Sequence, residues 1–495
     1  MRKTLGSLSK DVAIYGAGDV AVTAAGYLLL PLYLKVLTEA DYGALALILG
    51  VETFTKILFR FGLDGAFMRE WQDCADDHAR RTLTSTLLIF LLLTSGGLLL
   101  LAQLAMPWLA ASLFGDAAGT YTVALRLVLL HTFLLTFTFV PFHLMRIEKA
   151  AVTFSAFTFG RSVTTLLLRI LLVLQLGWGL TGMVVADLAV TVVLIPLLWP
   201  WYRRVLAPAF SMDVLRRALR FGLPRLPHGL AQQALDAGNR MLLSRFVLLN
   251  TLGVYQISGT IGQAIKLFLS AFETGWAPFY YATAKQTDAK AVFAKIATYG
   301  IAILLLLTAG LTAIAEDLVR LITLETPWSD EAYRQAAVVV PLIGFGLAWQ
   351  GVYLLTSIGL NLTGQTQYYP LTTFAAAGVG LGSGVLLMPR YGVEGAAVSF
   401  MLAYVTMAVV GAWFAQRQYP MRYEHGRIIR LLVVAGASAA AGLWLPVDGP
   451  LIGLLARGTT VVAMFGIGLG ATGFLRATER ALITQMLTRA RGRHA

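Results

Sequence analysis

The chain alternates on a long period between apolar stretches and short polar connections. A helix needs about 20 apolar residues to cross about 30 Å of hydrocarbon. Residues 12–37, 43–66, 83–106, 121–143, 152–176, 181–203, 219–247, 254–281, 294–315, 336–361, 370–388, 393–415, 428–445 and 451–475 meet that requirement. The pattern predicts an all-α polytopic membrane protein of about 14 transmembrane helices. Connections are short throughout. The longest, residues 316–336, is acidic and is expected to hold a helix lying along the interface. No stretch outside the apolar segments is long enough for a catalytic domain, which argues against an enzyme with a large outer loop.

Composition sharpens this reading. Hydrophobic residues make up 57% and charged residues 13%, against about 25% charged in soluble domains; mean hydropathy is +0.72. A net charge of +13 would suggest nucleic acid in a soluble chain. Here it falls in alternate connections, from Arg2/Lys3/Lys10 through Arg203/Arg204/Arg216/Arg217/Arg220 to the basic tail after Arg476. That asymmetry places both termini in the cytoplasm and offers the loops to anionic lipid headgroups; no nucleic-acid partner is expected. The stretch 12–37 exceeds a signal-peptide core and carries Asp19, so it reads as an uncleaved first span. The one cysteine, Cys74, sits in a basic loop and can form no internal disulfide.

An internal repeat is visible. A shift of 210 residues places Lys35 on Arg245, Gly43 on Gly253 and Lys56 on Lys266, and Gly179-Leu180-Thr181-Gly182 matches Gly392-Val393-Glu394-Gly395 at nearly the same offset. This favours duplication of a six-span unit in one orientation. The expected organisation is an N-terminal lobe over 1–210, a C-terminal lobe over 211–418, two further spans over 419–475 and a basic cytoplasmic tail over 476–495.

Some basic residues fall inside the apolar segments, where a charge costs about 2.5–3.5 kcal/mol on insertion scales. Span two carries Glu52, Lys56, Arg60 and Asp64 at four-residue intervals, one slowly curving stripe that permits Glu52–Lys56 and Arg60–Asp64 pairs. Arg161 and Arg169 lie in span five, Asp236 and Arg240 in span seven with Arg225, and Lys266 in span eight. The stripe reads either as a self-neutralised seam or as the wall of a hydrated cavity. The excess of Lys and Arg in the first eight spans, with none in the interiors of spans nine to thirteen, favours a cationic cavity that takes an anion. Forked arginine donors and compact lysine charges suit phosphate. Asp19 and Asp187 are either proton or cation sites or partners of nearby basic groups. Arg126, Arg240 and Arg457 lie near span ends, from which they can snorkel. His131 and His143 are expected to be structural. Pro224 and Pro227 should bend or break span seven. No spacing resembles a metal site and no nucleophile–base pair is visible, so neither metal, cofactor nor enzymatic activity is expected.

The stretch Phe221 to Leu230 (FGLPRLPHGL), Asp236 to Arg240 (DAGNR), Leu252 to Ser258 (LGVYQIS), Trp276-Ala277-Pro278, Tyr391 to Ala397 (YGVEGAA) and Tyr419 to Leu431 resemble the bacterial oligosaccharide (O-antigen type) flippases of the multidrug/oligosaccharidyl-lipid/polysaccharide exporter superfamily. The resemblance extends over nearly the whole chain. It implies two six-helix lobes, alternating access and transfer of a polyprenyl-pyrophosphate-linked glycan from the cytoplasmic to the outer leaflet of the inner membrane, alongside glycan-assembly proteins. It also implies basic residues of spans two and eight facing the cavity, which by position are Lys56 and Lys266. The expected substrate-binding set is Lys56, Arg60, Lys266, Arg161, Arg169 and Arg240, with Asp19, Glu52, Asp64 and Asp236 as ion sites or partners. An ion-coupled small-molecule exporter of the same superfamily is the runner-up; a membrane glycan polymerase or ligase, or a non-transporting scaffold, are readings of other classes. A positive funnel on the cytoplasmic side leads to the expectation of an inward-open resting state.

Overall fold

The computed structural model describes residues 30–323, 326, 328, 330–474 and 476. Among them, ten helices are long and apolar enough to cross a membrane, and no strand is present. Span one begins outside the described residues; its end, residues 30–36, is helical. Spans eleven and twelve form the helix Tyr368–Gln418, broken at Gly392, where φ is 50°. That angle lies in the left-handed region that glycine reaches without penalty.

Span two begins at Glu39 because Thr38 caps it: the Thr38 hydroxyl accepts from the Asp41 N–H at 3.2 Å, and the Asp41 carboxylate accepts from the Thr38 N–H at 2.9 Å. The same carboxylate accepts from the Tyr121 hydroxyl at 3.0 Å, fastening span two to span four. The helix ends at Arg60. Phe61 and Gly62 are left-handed, with φ of 50° and 68°, and a new helix, Leu63–Asp73, follows. The expected stripe is therefore divided: Asp64 lies on the second helix, beyond the break.

Span seven departs further from a simple helix. The amphipathic helix Met212–Gly222 leads into a 3₁₀ turn at Leu223–Arg225, the helix Leu226–Gln233, a π turn at Ala234–Gly238 and the helix Asn239–Leu243. Pro224 lies in the 3₁₀ turn and Pro227 in the first turn of the next helix, so the bend sits where the prolines require it. Span eight is also divided, into Leu249–Gly262 and Ala264–Thr283. The interfacial helix expected over 316–336 is not found among the described residues. Instead Glu316 and Asp317 belong to the helix Ala289–Ile322, and Asp330 opens the helix Asp330–Thr356.

Two compact units emerge. The first comprises the described residues up to Ile257, with Ile322–Gln335 and Pro370–Ala403; the second comprises Ser258–Leu321, Ala336–Tyr369 and the chain from Tyr404. The first unit has an apolar core at one end, where Phe67, Leu83, Leu87, Leu144, Leu198, Leu215 and Ala218 close around each other. Leu215 and Ala218 come from the buried face of Met212–Gly222, whose Arg216, Arg217 and Arg220 face outwards. In the second unit the last span is fastened by a buried ion pair: Arg457 Nη1 lies 2.9 Å from Asp317 Oδ2. Arg457 thus has a carboxylate partner inside the unit, rather than an escape to the interface.

Candidate functional site

The first unit gathers most of the intramembrane charge. On span two, Lys56 Nζ lies 2.6 Å from Glu52 Oε1, one helical turn earlier. Burial divides the pair: the Glu52 side chain is 12% exposed and that of Lys56 40%. The carboxylate is enclosed, while the ammonium stays within reach of another partner. Behind Glu52, the buried His131 of span four places Nδ1 3.9 Å from the same oxygen, too far for a hydrogen bond. Neither imidazole nitrogen has a hydrogen-bond partner among the described residues.

Spans five and six bring a second pair. Arg169 Nη2 donates to Asp187 Oδ2 at 2.6 Å. Asp187 is therefore a partner of a basic group, and Arg169 has its charge largely compensated. A π turn follows Arg169 at Ile170–Gln175; such turns re-aim the side chains around them.

Arg60 and Arg161 differ from these. Each lies close enough to feel the other's charge or that of neighbouring carboxylates: Arg60 that of Asp64 and Arg161, and Arg161 that of Asp187, Glu52 and Arg169. Yet neither forms an ion pair among the described residues. The expected Arg60–Asp64 bridge is absent, because the break at Phe61-Gly62 removes the four-residue register. Asp64 instead accepts from the Gly65 N–H at 2.9 Å. Two guanidiniums from spans two and five, unpaired among the described residues, thus share one low-dielectric region, where like charges repel more strongly than in water.

Arg240 stands apart. Its Nη1 donates to Gln256 Oε1 at 2.7 Å and its Nε to the Asp236 carbonyl at 3.2 Å. Both acceptors are neutral, so these two bonds hold its charge in place without cancelling it. Beside it, buried Asn239 donates to the Ala396 carbonyl at 2.9 Å and to the Tyr255 hydroxyl at 3.3 Å, pinning the π turn that carries Asp236. Lys266 lies in the second unit, half-buried in the first turn of Ala264–Thr283 and engaged with neighbours of its own. Asp19 lies outside the described residues. Outside the membrane segments, burial pushes the Cys74 thiol above its ordinary range, with Arg80 opposing; its Sγ donates to the Glu70 carbonyl at 3.3 Å.

Close backbone approach marks both ends of span two. A Cβ on Gly43 would lie 1.9 Å from the Leu249 carbonyl oxygen, and one on Gly253 would lie 1.9 Å from that of Glu39. At the other end, a Cβ on Gly62 would lie 2.5 Å from the Gly222 oxygen, and one on Gly222 2.7 Å from that of Phe61. The second contact is on the side that the loop charges assign to the cytoplasm. Spans two and seven meet there, so any opening on that side has to part these two turns.

Residues 35–333, more than half of the chain, match the family of polysaccharide biosynthesis proteins. The chain belongs to this family. A search of curated proteins returned no significant match. Among solved structures, a lipid II flippase, MurJ, in an inward closed conformation superposes with a TM-score of 0.78 at 11% identity, over 94% of this chain and 99% of that one. An inward-facing multidrug resistance MATE transporter of the MOP superfamily gives 0.65 at 18% identity, over 83% and 95%. A MOP superfamily transporter from Pyrococcus furiosus gives 0.53 at 16%, over 86% and 97%. These likenesses carry the fold. This polysaccharide biosynthesis protein is a multi-pass membrane protein with the fold of flippases and exporters.

Within that fold, the neighbours of three residues were not legible in the sequence. Asn239 and Gln256 were visible only as parts of the motifs DAGNR and LGVYQIS. His131 read as an ordinary helix-facing histidine because its neighbour Glu52 comes from another span, 79 positions away in the chain.

Proposed function

We propose that this protein is a flippase that moves a polyprenyl-pyrophosphate-linked oligosaccharide from the cytoplasmic to the outer leaflet of the inner membrane, in a pathway such as O-antigen or lipopolysaccharide assembly. The observation that carries the reading is the pair of arginines, Arg60 and Arg161, that have no ion-pair partner among the described residues, beside the half-exposed Lys56. Cations gathered without enough carboxylates are stabilised by an anion, and a diphosphate crossing hydrocarbon needs its charge compensated. Family membership supports glycan as the cargo; the likeness to a lipid II flippase supports a lipid-linked form. Lys56, Arg60 and Arg161 bind the diphosphate, Arg169 and Arg240 add to the positive field, and Lys266 contributes on the strength of its equivalence to Lys56 in the repeat. Sugars travel in the hydrated lumen and the lipid tail stays in the bilayer. Two six-span lobes alternate access, with both termini in the cytoplasm and anionic lipids against the basic loops.

The test is complementation of a strain lacking its own flippase. Lys56→Ala and Lys266→Ala each reduce surface glycan, and the double variant abolishes it while the lipid-linked precursor accumulates. Normal surface glycan in the double variant overturns the residue assignment. Drug resistance on overexpression with no effect on surface glycan moves the function to a small-molecule exporter.

A further inference from the structure

Glu52 Oε1 is approached by two basic groups from different helices, Lys56 at 2.6 Å and His131 at 3.9 Å. One of them, Lys56, is half in the open; the other is buried, with both ring nitrogens unpartnered among the described residues. Leaving a buried imidazole unsatisfied costs about 1–3 kcal/mol, and apolar residues pack the same position without that cost. The cost is offset when the group has a state in which it is paired.

We propose that Glu52 is an internal counter-ion handed from Lys56 to His131, so that anion binding at Lys56 is linked to uptake of one proton at His131. The inference rests on Lys56 being an anion ligand, as argued above. The exchange follows from charge balance. A diphosphate competes with Glu52 for the ammonium, and as Lys56 turns towards it, the enclosed carboxylate loses its partner. An isolated buried carboxylate is costly. His131 takes a proton from the aqueous phase on Nδ1, becomes an imidazolium and closes the gap to Oε1; the proton returns when the diphosphate leaves and Lys56 swings back. A small side-chain shift suffices, and no bond other than N–H is made or broken.

The other charges around His131 permit this. Span two presents Glu52 and Lys56, span five Arg161 and span six Asp187, while span three carries no charge from Leu83 to Leu104. Asp187 is already engaged by Arg169, so among the described residues around His131 Glu52 is the carboxylate open to sharing. A diphosphate that also neutralises Arg161 removes a cation repelling the imidazolium, which reinforces the linkage.

Two measurements on the full-length protein in detergent test the proposal. Calorimetric titration with farnesyl diphosphate in two buffers of different ionisation enthalpy, near pH 7.5, reads proton uptake directly. The unaltered protein takes up about one proton per ligand bound, and His131→Gln or His131→Asn binds with uptake near zero. The second measurement needs no ligand. In Lys56→Met, Glu52 has only His131, whose proton affinity then rises in the folded state. Stability gained this way is full below pH about 6.5 and lost as pH rises, so the melting temperature of Lys56→Met falls between pH 5.5 and 8 by more than that of the unaltered protein. The double variant Lys56→Met/His131→Gln loses that extra fall. Equal proton uptake with and without His131, none in the unaltered protein, or no extra pH dependence in Lys56→Met overturns the proposal. If the unaltered protein binds no diphosphate, the functional reading fails, and the melting profiles alone decide the sharing of Glu52.

Discussion

Single residues here differ in how far a neighbour can be read from the chain. Glu52 and Lys56 are four positions apart on one helix, so their pairing follows from helical geometry. Arg169 and Asp187 pair across two helices, and no spacing rule names such partners. Cys74 illustrates the same limit in its chemistry. Its place in a basic loop suggests an activated thiolate, since nearby cations lower a thiol's pKa. Burial acts the other way and wins, with Arg80 only opposing it. The thiol is therefore protonated and slow at neutral pH. Alkylation of the folded protein by iodoacetamide at pH 7 should be slower than that of a free cysteine, and should still be rising above pH about 8.5, where an ordinary thiol levels off. Full alkylation at pH 7 at the rate of a model thiol contradicts this account.

At the scale of elements, the apolar pattern located most helices, because twenty apolar residues leave a membrane chain few alternatives. What it missed were the breaks. The turn at Phe61-Gly62 carries no proline, and a non-glycine residue in the left-handed region is rarely foreseen from sequence. Span seven was legible as bent because proline removes a donor, but its π turn was not. The last two spans supply a test of how elements are fastened. Arg457→Met leaves Asp317 buried without its cation, which costs about 3–5 kcal/mol when a buried pair is broken from one side. A clear fall in melting temperature is expected. Arg457→Met combined with Asp317→Asn removes both charges and should recover much of the loss, whereas two independent surface residues would give additive effects.

At the scale of the whole molecule, charge and shape answer different questions. A gradient of charge says where an anion is attracted, but closure is decided by shape. The backbone approach between Gly62 and Gly222 is a matter of missing side chains, which the charge pattern does not contain. In a protein with Cys74 replaced, Phe61→Cys should react slowly with an impermeant thiol reagent in inside-out vesicles, and faster once Gly222→Ala is added, because the new methyl holds the two turns apart. Equal labelling in both backgrounds would sink this explanation.

The contact at the other end of span two carries a different consequence. Gly43 meets Leu249, and Gly253 meets Glu39; the two halves of the contact are related by one 210-residue offset, so each segment does to the other what the other does to it. Such an isologous arrangement is that of a two-fold dimer, here written into one polypeptide. Its two glycines form a single epistatic unit. Gly43→Ala or Gly253→Ala alone forces the same backbones apart, at about 1–3 kcal/mol for overpacking, and whichever comes first removes the close approach that the second would have disturbed. The double variant should therefore melt little lower than either single one, while Gly97→Ala, with nothing within 4 Å of its Cβ, adds independently to both. Two positions 210 residues apart in the chain thus share one fate, because a single backbone approach serves both.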